Sequence, residues 1–255
     1  MATYKKRGGK PSTKTEKETS IEDGSTTAEV FNTLDESASR TEEWVIKNQK
    51  YIFIVVGFAA ILVLGFLGFD KFIQQPKESV ATNDMFQSQQ YFDQAVNGTS
   101  KDSLFTLALN GSDGKYGFLD IADVYSGTKA GNLSNYYAGM AYLNMKDYTN
   151  AVTYLNAFSS GDDVLGPIAK GGIGDAFVQL EQLEDAYDYY VQAAQLKSND
   201  YTTPMYLYKA GVIGLKLGNN SKALVFFNQI KSDFPQSTEA KDIDVFIGKA
   251  EAASN

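Results

Sequence analysis

Residues 204–237 read PMYLYKAGVIGLKLGNNSKALVFFNQIKSDFPQS. Gly211 and Gly214 lie in the first half of this stretch, Ala223, Phe227 and Ile230 in the second, and Pro235 closes it. Two upstream segments repeat the pattern. One holds Gly139, Tyr142, Ala151, Leu155 and Phe158, and the other Gly174, Phe177, Ala186, Tyr190 and Ala193. The glycines 139, 174 and 211 are 35 and 37 residues apart, and so are the alanines 151, 186 and 223. Two independent markers with the same spacings define an internal repeat. Its physical reading is a helix pair. A small residue on the first helix lets the second cross it, and Ala151, Ala186 or Ala223 sits at the contact. The large side chains at 155, 158, 190, 193, 227 and 230 fill the gap to the next pair. One such pair cannot bury its apolar face alone, so several stack.

These residues resemble the tetratricopeptide repeat, with its small-x-x-aromatic start, its Ala-x-x-x-Phe/Tyr-x-x-Ala second helix and a closing Pro. The register places units at 132–165, 167–200 and 204–237, and Asp233-Phe-Pro-Gln-Ser237 matches the closing turn. Departures are Asn135, Phe158, the missing Pro of the second unit and Gly214. Upstream, Met85, Phe86, Gln89, Phe92 and Val96 suit an amphipathic helix ending at Asn97-Gly98. Shorter helices are expected over 103–109 and 116–125, so that 83–127 forms one or two degenerate leading units. Residues 238–250 form a capping helix. No stretch alternates with period two for long enough to require a strand. The expected fold is all-α: a single N-terminal transmembrane helix followed by an α-solenoid of tetratricopeptide-like helix pairs.

The membrane helix comes from residues 51–69, YIFIVVGFAAILVLGFLGF, which contain no charge. At 1.5 Å per residue they span roughly 28 Å, close to the hydrocarbon thickness of a bilayer. Lys47 and Lys50 precede the run, and Asp70 and Lys71 follow it. Before it, residues 1–32 are too polar to bury a core and read as a disordered tail, with Lys5-Lys6-Arg7 and Lys10 as a basic cluster. Thr33-Leu-Asp-Glu36 fits a capping box for a helix that runs into the span, with Trp44 in the interfacial belt. The expected layout is a tail at 1–40, a juxtamembrane and transmembrane helix at 41–73 and the repeat domain at 83–255. Lysine and arginine weigh on the N-terminal side, which favours a cytoplasmic N-terminus and an extracytoplasmic repeat domain. A cleaved signal peptide does not fit, because the run is long and begins some fifty residues in. Gly57, Ala60, Gly65 and Gly68 share one broad side of the span. They are either a docking face for another membrane helix or the ordinary glycine content of membrane segments.

Composition narrows the chemistry. The 255 residues include no Cys and no His, and the net charge is -8. Disulfides, thiolate nucleophiles and the commonest general base and zinc ligand are therefore excluded. The first 50 residues balance nine basic against nine acidic residues, so all the excess negative charge follows the span. An acidic domain is a poor nucleic-acid partner. The carboxylate pairs Asp162-Asp163, Glu184-Asp185 and Asp242 with Asp244 lie where solvated charge is expected. The glycine-rich pieces 111–114 and 170–174 lack phosphate-loop or dinucleotide spacing. No enzyme, catalytic residue, metal or cofactor is expected.

The tetratricopeptide resemblance implies a concave face built from the first helix of each pair, where partner proteins bind. Its groove positions fall on Tyr136, Met140 and Asn144, then Asp175 and Gln179, then Met205, Tyr208, Val212 and Lys216. The basic clamp of the chaperone-binding branch is absent: Tyr136, Met140, Gly172 and Met205 stand there, with only Lys209 basic. The whole layout resembles the YfgM-type proteins of the bacterial inner membrane. That resemblance implies a single-pass protein with a periplasmic domain, ancillary to a SecYEG-type translocon. It also implies work beside a PpiD-like periplasmic chaperone on nascent or secreted polypeptides, with membrane lipid as surroundings. The alternative is an envelope scaffold for cell division or outer-membrane assembly, away from the translocon.

Overall fold

The computed structural model describes residues 26–98 and 101–254, with side chains described from residue 41 onward. Among the described residues all regular structure is helical. The chain divides into two units, residues 1–68 and residues 69–255.

In the first unit one element dominates, helix α1 (Thr26–Phe69). Among the described residues one helix is long and apolar enough to cross a membrane. Its most apolar window has a mean hydropathy of 2.8 and none of it is buried. The helix begins ahead of Thr33, so Thr33 and Glu36 lie within it and not at its start. Residues 26–40 are helical where the composition reads as tail, and no Gly or Pro interrupts them. The basic cluster at Lys5-Lys6-Arg7 and Lys10 lies outside the described residues.

The second unit opens on a π-helical turn (Asp70–Gln74). Then come α2 (Gln75–Asn97), α3 (Lys101–Asn110) and α4 (Phe118–Val124). Three helix pairs follow: α5 (Lys129–Asn144) with α6 (Tyr148–Ala157), α7 (Leu165–Gln179) with α8 (Leu183–Leu196), and α9 (Thr202–Lys216) with α10 (Asn220–Asp233). A short 3-10 turn (Glu239–Asp242) leads into the capping helix α11 (Ile243–Ser254). Each pair begins two or three residues ahead of the corresponding unit at 132–165, 167–200 or 204–237.

Each pair is built the same way. A Cβ added at Gly139 would lie 2.5 Å from the Leu155 side chain, one at Gly174 2.7 Å from the Tyr190 ring, and one at Gly211 2.4 Å from the Phe227 ring. The large residue follows its glycine by the same interval in every pair. The turns repeat as well. Lys146, Glu181 and Gly218 have φ of 64°, 60° and 76°. In each, two backbone N–H groups close a Schellman motif: Lys146 and Asp147 donate to Leu143 and Tyr142, Glu181 and Gln182 to Val178 and Phe177, Gly218 and Asn219 to Leu215 and Gly214. Only the third turn has the glycine that this conformation favours.

The leading helices attach through aromatics and one cap. Phe92 meets Phe105 at 5.4 Å and Tyr137 at 5.1 Å, and Phe118 stacks on Tyr137 at 5.0 Å. The Glu78 carboxylate, from the first turn of α2, accepts from the Lys129 and Ala130 amides at 2.6 and 2.9 Å and so caps α5. At the other end α11 buries Ile243 and Ala250 against α10.

Two substitutions separate these terms. Gly211→Ala gains about 1 kcal/mol of helix propensity but overpacks the Phe227 ring by roughly 1–3 kcal/mol, so a net loss is expected. Glu181→Gly relieves a left-handed conformation and raises stability by up to about 1 kcal/mol. Chemical unfolding of the detergent-solubilised chain, followed by helical circular dichroism, reads both.

Candidate functional site: the inner face of the helix pairs

The first helices touch one another, α5 with α7 and α7 with α9, and so form the inner side of the array. The close approach depends on the segment Lys170-Gly-Gly-Ile-Gly174 within α7. An added Cβ at Gly171 would run into the Tyr206 ring from α9, and one at Gly172 would meet Leu155 at 3.1 Å and Met140 at 3.7 Å. These glycines are packing devices between neighbouring pairs.

The groove positions expected from the sequence divide into three kinds. Tyr136 and Met140 pack against the core of Leu155, Phe158, Ala169 and Ile173, and the Tyr136 ring lies 5.2 Å from Phe158. Burial raises the Tyr136 phenol above its ordinary range. Asn144, Gln179 and Lys216 are exposed. Asn144 donates back to the Met140 carbonyl at 2.8 Å, and Tyr148 reaches Gln179 at 3.4 Å. Met205, Tyr208 and Val212 are half-buried on α9.

Asp175 has a different part. Its carboxylate accepts from the Tyr190 hydroxyl at 2.6 Å and from the Lys209 ammonium at 2.6 Å. Lys209 also lies over the Tyr190 and Tyr206 rings, 5.4 and 5.7 Å from their centroids. The carboxylate thus ties α7 to its own partner α8 and to the next pair at α9. Both bonds fall on one oxygen, Oδ1.

Asp162, Asp163, Glu184, Asp185 and Asp244 are also structural. Asp162 accepts from the Val164 and Leu165 amides at 2.8 Å, and these two bonds hold its carboxyl below the usual range. Asp163 pairs with Lys197 at 3.6 Å and Asp244 with Lys231 at 2.7 Å. Glu184 and Asp185 occupy the first turn of α8, where acidic residues oppose the helix dipole.

Tyr208 and Val212 open onto a cavity of about 390 Å³, together with Val178 of α7, Ile213 of α9 and Phe246 of α11. Phe246 meets the Tyr208 ring edge-on at 4.9 Å. A second hollow of about 260 Å³ adjoins it, sharing Tyr208 and Phe246 and adding Thr238, Glu239 and Asp242. The repeat pattern points to Tyr208 and Val212 but is silent on Val178, Ile213 and Phe246. Phe246 belongs to the capping helix, outside the repeat register, and only folding brings it to Tyr208.

Residues 134–160 and 206–237 match the family model of the tetratricopeptide repeat. The chain contains tetratricopeptide repeats. The unit at 167–200 lies between the matched segments and has the same crossing and the same turn, so the array of helix pairs is continuous across the three. No curated protein and no solved structure matches the chain. A tetratricopeptide array is a protein–protein interaction module, and here it accompanies one candidate membrane span.

The Asp175 junction makes stability depend on pH. Burial first, and then the Asp175 carboxylate, push the Tyr190 and Tyr206 phenols well above their ordinary range. The Tyr125 phenol, hydrogen-bonded to Asp84, is pushed up to about 12. A raised folded-state value means that the unfolded chain releases its protons first. The stabilisation is complete below about pH 10 and declines as pH rises beyond it. The thermal midpoint is expected to fall above pH 10, and Tyr190→Phe to make that fall shallower.

Proposed function

We propose that this protein is a membrane-anchored scaffold whose tetratricopeptide array holds a partner polypeptide on its inner face. The observation that supports this reading best is the apolar cavity at Tyr208 and Val212, on the helices that line the groove. Aromatic side chains such as Tyr208 and Phe246 on an open hollow suit protein contact. Among the described residues one apolar helix precedes the array; as a membrane span it would confine the array to a membrane surface and raise its concentration near whatever the span touches.

The finer reading follows the overall layout. The span is that of a bacterial inner membrane protein with a cytoplasmic N-terminus, and the array works in the periplasm. The distribution of lysine and arginine around residues 51–69 favours that orientation. The protein is ancillary to a SecYEG-type translocon and assists emerging polypeptides beside a PpiD-like chaperone. Its contacts are shared between groove and span. An added Cβ at Gly57, Gly65 or Gly68 meets no atom within 4 Å, so this side, with Ala60, is open to a close-packed helix of the channel. The groove contributes Met205, Tyr208 and Val212, with Tyr136, Met140, Asn144, Asp175, Gln179 and Lys216 around them.

Affinity purification from native membranes tests this. A tag on the C-terminus is expected to recover channel subunits together with a periplasmic chaperone, and recovery of neither rejects the translocon reading. The array by itself also suits a scaffold for division or outer-membrane assembly. Replacing residues 51–69 by an unrelated apolar span distinguishes the two: lost co-purification points to docking within the membrane, and retained function to the array alone.

A further inference from the structure

The two hollows at the C-terminal end of the array differ in chemistry. The larger is apolar, with Val178, Tyr208, Val212, Ile213 and Phe246 around it. Its one cation, Lys209, is held by Asp175 at 2.6 Å. The smaller adjoins it across Tyr208 and Phe246, and the only charged residues lining it are Glu239 and Asp242. Neither acid is in an ion pair among the described residues. Lys249 lies nearby, but its ammonium sits 4.9 Å over the Phe246 ring and does not line the hollow. Burial of Tyr208, followed by the negative charge of Asp242 and Glu239, raises its phenol above the ordinary range, which agrees with a local field that is negative. The whole chain outside the first 50 residues shares that sign.

We infer that the cavity formed by Val178, Tyr208, Val212, Ile213 and Phe246, with Glu239 and Asp242 at its rim, binds a cationic amphipathic peptide segment, an apolar side chain seated in the cavity and an adjacent Lys or Arg on the acidic rim. This deepens the scaffold reading and rests on it: it states which polypeptides the inner face takes. The chemistry is opposite to that of a groove that captures a C-terminal carboxylate, which needs uncommitted basic groups. The cavity lies within the size range of small-ligand sites, so it takes one anchor and not an extended helix face. The acidic rim supplies selectivity and on-rate more than raw affinity.

The test uses the full chain in detergent and three fluorescein-labelled, end-blocked nonapeptides with a central Leu-Phe pair. The first has two flanking lysines, the second two flanking glutamates, and the third keeps the lysines but has Ala-Ala at the centre. Anisotropy is expected to show the first binding at least about tenfold more tightly than either of the others, and weakening as added salt shortens the Debye length. Glu239→Lys at a half-buried position, with Asp242→Lys at an exposed one, should lower that affinity about tenfold and leave the circular dichroism unchanged. Val212→Asp should abolish the preference for Leu-Phe. Equal binding of the lysine and glutamate peptides, or binding untouched by the rim substitutions, overturns the inference. Co-purification of a partner in that case would leave the scaffold reading standing, so the two failures are distinguishable.

Discussion

Every helix pair in the array depends on one contact: a glycine on the first helix against a large side chain on the second. Gly139 meets Leu155, Gly174 meets Tyr190 and Gly211 meets Phe227, each so closely that a Cβ would collide. With the glycine in place, the two helices approach until the large residue fills the crossing. That large residue also reaches the next pair: Leu155 lies 3.1 Å from where a Cβ of Gly172 would stand. A contact made locally thus determines both the angle within a pair and the seat of the following one. The three Schellman turns, at the same interval after each glycine, are a consequence of the same geometry.

Between pairs the constraint is electrostatic as well as steric. Asp175 receives the Tyr190 hydroxyl and the Lys209 ammonium in one half-buried site. A lone carboxylate or ammonium there would be costly, whereas the pair with its aromatic surroundings is satisfied. The arrangement also explains why Lys209, the one basic residue facing the groove from the matching positions, is not available to a bound carboxylate. With Lys209 held, the cavity at Tyr208 and Val212 is left apolar with an acidic edge.

Placement and chemistry are divided between the two parts of the chain. Among the described residues, carboxylates of the second unit cap helices, pair with lysines or edge a hollow. What the helix pairs offer is a shaped surface. One candidate membrane span precedes them, and the excess negative charge lies wholly after residue 69.

The sequence by itself determined the repeat register, the helical class and the apolar span. These rest on spacing along the chain, and spacing is visible in letters. It determined the middle unit too, which the family model does not match, because Gly174 and Ala186 obey the same interval as their counterparts. Tertiary structure decided which groove positions are spent on packing. Asp175 fits the groove pattern, yet its partners Tyr190 and Lys209 lie 15 and 34 residues away. Folding also extended α1 back to Thr26, where polar composition had hidden a run free of helix breakers. The cavity was out of reach of any periodicity, since Val178, Val212 and Phe246 come from three helices in two successive pairs and the cap. A repeat specifies the face each residue takes on its own helix. Which side chains meet across faces depends on how closely the helices approach, and that was settled by the glycine crossings in three dimensions.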